Sequence, residues 1–90
     1  MKLLGETTTA DSANQNLDAA TAIYVTTKAA HIISIYDNTG TENNTNGTIV
    51  GSIELPSGWT GIIEKDADQF IRSNNNNAEY TKINSGGYAN

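Results

Sequence analysis

Between Ile23 and Ile83 the chain is a succession of six short runs rich in Ile, Val, Thr, Tyr and Phe, each followed by polar or turn-forming residues. That rhythm leaves no length for an ordinary helix, and β-branched and aromatic side chains suit a pleated, half-buried surface. Ile23-Tyr24-Val25-Thr26-Thr27 is the first expected strand. In His31-Ile32-Ile33-Ser34-Ile35-Tyr36, Ile33 and Ile35 lie on one face with Ser34 and Tyr36 on the other, and Asp37-Asn38-Thr39-Gly40 ends the run. The loop Asn43-Asn44-Thr45-Asn46-Gly47 closes on an Asn-Gly pair that tolerates positive φ. Thr48-Ile49-Val50-Gly51-Ser52-Ile53-Glu54-Leu55 follows with period-two alternation, which places Ile49, Ile53 and Leu55 inward and Ser52 and Glu54 outward. Beyond the Pro56-Ser57-Gly58 turn, Trp59 to Lys65 resumes extended structure, stopped by Asp66-Ala67-Asp68. Gln69 to Ser73 is a fifth strand, Asn74 to Asn77 a solvated hairpin tip, and Ala78 to Ile83 a sixth strand, after which Gly86-Gly87 loosens the chain. Strands this short at even spacing predict an all-β fold, a small single-domain β-sandwich or barrel of about six or seven strands.

Upstream the texture differs. Thr7-Thr8-Thr9-Ala10-Asp11-Ser12-Ala13-Asn14-Gln15-Asn16-Leu17 holds almost no bulky apolar residue, so residues 1–21 are expected to form an extended N-terminal arm and residues 22–90 the β domain. A short helix from Ser12 to Ala20 is the lesser alternative, because its apolar positions are too small and too few for a buried stripe. Removal of residues 1 to 17 is then expected to leave the β domain folded. No internal repeat of 20–50 residues is visible.

Ninety residues with 37% hydrophobic and 7% aromatic content build one thin core, which favours support from neighbouring subunits. The formal charge of -5 and pI near 4.5 repel phosphate backbones, so nucleic acid is not an expected partner. Without cysteine there is no disulfide framework, thiolate metal site or Cys nucleophile, and the redox compartment stays open. No stretch approaches the roughly 20 apolar residues of a membrane span. Met1-Lys2-Leu3-Leu4 is cut short by Gly5 and Glu6 before a signal-peptide core forms, so a soluble, unprocessed protein with no membrane partner is expected.

The chemistry-bearing residues form no recognisable kit. Ser34, His31 and Asp37 contain the types of a nucleophilic triad, but no nucleophile elbow accompanies them and their spacing strings them around one strand. Asp66 and Asp68 begin like a calcium loop that Phe70 and Ile71 break, and no carboxylate follows Asp37-Asn38-Thr39-Gly40 at the spacing of a bidentate ligand. Glu54 and Glu64 would serve as paired acids only in a cleft that so short a chain hardly builds. No catalytic residue, metal or cofactor is therefore expected, and the chain reads as a non-enzyme. Asn43-Asn44-Thr45 and Asn46-Gly47-Thr48 match the N-glycosylation pattern, discounted without a signal peptide. Trp59 either plugs the end of the core or projects as an interface anchor, and Tyr24, Tyr36, Tyr80 and Tyr88 are further candidates for a contact surface. A sugar-binding surface would stack Trp59, Tyr36 and Tyr80 on rings with Asn amides on the hydroxyls.

The Thr7 to Leu17 lead-in and the segment Gly51-Ser52-Ile53-Glu54-Leu55-Pro56-Ser57-Gly58-Trp59-Thr60-Gly61-Ile62-Ile63-Glu64-Lys65-Asp66-Ala67-Asp68 resemble small virion structural proteins of marine tailed bacteriophages. In those proteins a Thr- and Asn-rich arm precedes a β domain with Gly-x-Ile-x-Leu-Pro and then Ile-Ile-x-Lys. The resemblance covers most of the chain and transfers no functional residue. It implies a non-enzymatic component of the virion, assembled in the host cytoplasm: a capsid decoration (cement) protein binding the major capsid protein, or a neck or tail accessory. The expected assembly is a homo-oligomer, a trimer, with an interface drawn from Lys2, Leu3, Leu4, Thr7, Thr8, Thr9, Leu17 and Trp59. Lys2 to Leu17 would act as a tether, and a carbohydrate- or host-surface-binding module is the alternative.

Overall fold

A computed structural model describes residues 1–37 and 41–84. The end of the turn read at 38–40, and Gly86, Gly87 and Tyr88, lie outside the described residues. The described residues hold eight strands and no helix: β1 Lys2–Leu3, β2 Thr8–Thr9, β3 Ala22–Thr27, β4 His31–Asp37, β5 Thr48–Leu55, β6 Thr60–Glu64, β7 Phe70–Ser73 and β8 Ala78–Asn84. The fold is all-β. The six strands expected from the β-branched runs are present, and the two additional ones come from the N-terminal segment.

All pairings are antiparallel and make two sheets. The larger has the order β1-β8-β3-β6, with β2 beside β1 on the same edge of β8, and the smaller is β5-β4-β7. Side-chain alternation then decides what is buried. Ile23 and Val25 of β3, Ile33 of β4, Ile71 of β7, and Ala78, Tyr80 and Ile83 of β8 are each 1% exposed or less. Most of these meet in one cluster with Ala10, Ala20 and Leu55, drawn from both sheets. Leu17, Ile35, Trp59 and Ile63 pack against its margin.

The N-terminal segment lies along its own domain. Lys2 and Leu3 pair with Asn84 and Ile83, and Thr8 and Thr9 with Tyr80 and Glu79. Ala10 is buried in the core, and the fully buried Asn14 donates through Nδ2 to Asn44 Oδ1 at 2.7 Å and Asn46 O at 3.1 Å. Gln15 bridges to Ile71, with backbone hydrogen bonds of 3.1 and 2.9 Å in the two directions, and Asp11 O accepts from Ser73 N–H at 2.9 Å. The radius of gyration, 12.1 Å, is that of a compact chain of this length (about 12 Å). The lesser alternative of a helix over Ser12–Ala20 is not adopted. Leu17, Asp18 and Ala19 instead take φ of 61°, 54° and 62°, a left-handed turn held by Ala20 N–H to Leu17 O at 3.0 Å and Ala19 N–H to Asn16 Oδ1 at 2.6 Å.

Candidate interaction surface

Sheet order determines which edges are sealed. The outer edge of β8 is taken by β1 and β2, and the outer edge of β7 by the 11–15 segment. β5 and β6 are the remaining outer strands, and they close the same flank: Val50 of β5 and Glu64 of β6 line one cleft with Thr21, Lys65, Asp66 and Gln69. The turn joining them is held from β3. Thr27 Oγ1 donates to Pro56 O at 2.7 Å and accepts from Trp59 N–H at 2.8 Å. Trp59 lies against Gly61, where an added Cβ would stand 2.5 Å from two ring carbons, so the ring fits only because that position is glycine. Half-buried against the core, Trp59 closes the end of the sandwich at this flank.

Along β5 the alternation selects the side only from Gly51 to Leu55, and does not select burial. Leu55 and Ile53 pair with the inward-facing His31 and Ile33, yet only Leu55 is buried; Ile53 is 52% exposed and Ile49 53% exposed. The expectation that Ile49 and Ile53 face a core is corrected: Ile53 lies on the Ile33 side of an outermost strand, and the bulge turns Ile49 to the opposite face, beside Tyr36. A register shift between Ile35 and Tyr36 leaves Val50 without a β4 partner, and it too is exposed. Ile32, opposite Glu54 of β5, and Ile62 of β6, opposite Tyr24, are exposed too. The other exposed large apolar residues among those described are Met1, Leu3 and Leu4. Exposed apolar surface among the described residues thus gathers at β1, at one edge of the larger sheet, and on and beside β5, at the edge of the smaller, where scattered single residues are the norm.

The interface residues expected from sequence separate accordingly. Lys2, Leu3 and Leu4 are exposed at the β1 edge, where Leu4 N–H donates to Lys82 O at 2.9 Å. Thr7 Oγ1 shares a 3.2 Å hydrogen bond with Thr81 Oγ1, Thr8 sits opposite Tyr80, and Thr9 Oγ1 donates to Glu79 Oε2 at 3.4 Å. Leu17 is half-buried in the left-handed turn, and Trp59 stands across the molecule on the β5/β6 flank. Sequence reasoning missed β5 as a surface because its amphipathic pattern reads as core.

The catalytic alternatives do not assemble. His31 and Asp37 begin and end β4, roughly 20 Å apart by the rise of a strand. His31 Nδ1–H donates to Ala29 O at 2.6 Å, and Asp37 Oδ1 accepts from Gln69 Nε2 at 2.8 Å. Among the described residues no group of three or more His, Asp or Glu is placed to hold a metal ion. Tyr80, the largest fully buried side chain, has its hydroxyl without a hydrogen-bond partner; burial first, and then the Asp11 carboxylate, push its pKa well above the ordinary tyrosine value. Lys65 is buried with Nζ on Asp66 O at 3.3 Å, and desolvation holds its pKa below the usual lysine range against the pull of Asp68, Glu42 and Asp66. The rings considered for sugar stacking do not share a face: Tyr80 is internal, the Arg72 guanidinium caps Tyr36 at 3.6 Å, and Trp59 lies on Gly61. No helix is long and apolar enough to cross a membrane. No known protein family, curated protein or solved structure matches this chain.

Proposed function

We propose that this chain is a non-enzymatic virion structural protein, a capsid decoration protein that binds the assembled major capsid protein shell and stabilises it. The observation that supports the reading is the β5/β6 flank. Among the described residues nothing pairs with the outer edge of this eight-residue strand, which has half-exposed Ile49, Val50 and Ile53, and only Glu54 charged along its length. Edge strands are usually blunted by lysine, proline or brevity; here proline comes only after the strand, at Pro56, and the bulge at Val50 is the one blunting device within it. Such an edge offers backbone hydrogen bonds and apolar contact to another protein, and binding that occurs only on the assembled shell stabilises the shell by mass action. The resemblance to small phage virion proteins includes the segment Gly51 to Asp68, which holds Ile53 and Glu54 of this surface.

Quantitative mass spectrometry of purified particles of the source virus, with copy number taken relative to the major shell protein, tests this. A ratio near parity is expected; a few copies per particle would move the chain to the neck or tail, and absence from particles would discard the virion reading. In a titration on assembled shells, Ile53→Lys should lower occupancy at least tenfold, and unchanged occupancy would overturn β5 as the docking strand.

A further inference from the structure

The two exposed apolar patches differ in charge as well as place. In Met1-Lys2-Leu3-Leu4 the only charged side chain is Lys2, whereas on β5 it is Glu54, with Glu64 following on β6. Leu3 and Leu4 are 65% and 51% exposed although β1 is paired with β8. The strand has its backbone placed and its side chains unburied. β5 is in the same condition; it shares a cleft with β6, the edge of the larger sheet opposite β1.

We propose that the Met1–Leu4 segment of one copy packs along β5 of a second copy, so that this chain associates head to tail. The inference rests on the β5/β6 flank being an interaction surface, and it names the occupant. Leu3 and Leu4 then cover Ile49, Val50 and Ile53, the free backbone edges pair, and Lys2 approaches Glu54. The opposite charges orient the contact, while apolar burial supplies the affinity. A two-fold contact of β5 with itself brings acidic surface to acidic surface and leaves Leu3 and Leu4 in water. Because the two patches are unlike, the contact is heterologous. It closes into a ring where the rotation per subunit permits and otherwise grows as an open chain.

The chain lacks cysteine, so crosslinking reads the geometry directly. Leu3→Cys and Ile53→Cys proteins, distinguishable by mass, are mixed and oxidised with a mild disulfide reagent. The mixed Leu3→Cys/Ile53→Cys dimer is expected in at least severalfold excess over either homodimer. A dominant Ile53→Cys homodimer would overturn the proposal in favour of two-fold β5 pairing. Sedimentation of Leu3→Ser/Leu4→Ser and Ile53→Lys proteins gives the second measurement: each should be monomeric alone, and their mixture should form a two-chain species and nothing larger. Both variants change exposed residues, and circular dichroism confirms that they fold. Wild-type protein that stays monomeric while Ile53→Lys still loses shell binding would sink the self-association and leave the shell-binding proposal intact. Loss of shell binding by neither variant, with the head-to-tail crosslink present, would do the reverse.

Discussion

Asn14, fully buried, donates to Asn44 and Asn46 and accepts at Oδ1 from Arg72 Nε. Every polar atom of that side chain is used, which is the condition for burying an amide without penalty. Tyr80 is the contrary case, a phenol in the core whose hydroxyl has no partner among the described residues. Leaving such a group unsatisfied costs about 1–3 kcal/mol, so Tyr80→Phe should match or exceed wild type in urea unfolding at neutral pH. The pH dependence has a definite sign. The folded pKa is raised, so between the ordinary tyrosine value of about 10 and the higher folded value the unfolded chain has lost a proton that the folded chain keeps. The unfolded state then binds fewer protons, and stability falls as pH rises through about 10. The stability difference between Tyr80→Phe and wild type should therefore widen from about pH 9 to about pH 11; a pH-independent difference would show that the hydroxyl titrates normally.

At the scale of elements, residues 1–21 divide in two. Residues 1–4 contribute exposed side chains and a two-residue strand, whereas Ala10, Asn14, Gln15 and Leu17 contribute core, a polar plug and the seal on β7. Deleting residues 1–4 should leave the circular dichroism spectrum and melting transition close to wild type, while deleting residues 1–17 should abolish the transition. This replaces the expectation that the β domain folds without residues 1–17. The sequence shows why the two halves were hard to tell apart: hydrophobic periodicity registers apolar side chains, and this segment is bound by amides. Asn16 illustrates it, with Nδ2 donating to Ala67 O at 2.8 Å and Gln69 O at 2.9 Å, contacts between residues some fifty positions apart. The β-branched runs at 23–27, 31–36 and 78–83 were legible because local propensity, alternation and burial agree there. On β5 alternation was legible from Gly51 to Leu55 but not across the Val50 bulge, and burial was not, since an edge strand and an interior strand share one pattern. The partners of each strand were not legible either: β3 pairs with β8, near the other end of the described chain, and cross-strand preferences are too weak to specify that from sequence.

For the whole molecule, a thin core joined to unlike apolar edges ties stability to concentration. Association of folded copies adds free energy to the folded state alone, so the melting temperature of wild-type protein should rise with protein concentration. Scanning calorimetry over a hundredfold concentration range should show that rise for wild type and a flat response for Ile53→Lys. A flat response for both would mean that the monomer accounts for all the stability. The net charge of -5 works against dense packing of copies except where Lys2 meets a carboxylate.

The pairing of β1 with β8 sets Lys2 opposite Asn84. The first and last described strands therefore meet at one corner of the larger sheet. A short linker running from Asn84 to Lys2 would leave every strand pairing among the described residues in place, and a new opening in the polar 43–47 loop, whose tip is exposed, would interrupt none of them. In such a permutant β5 leads the chain, and a peptide or enzyme fused ahead of Thr48 would emerge beside the free edge instead of at the far corner. The same β architecture can thus be rewired to carry cargo either toward or away from its docking side.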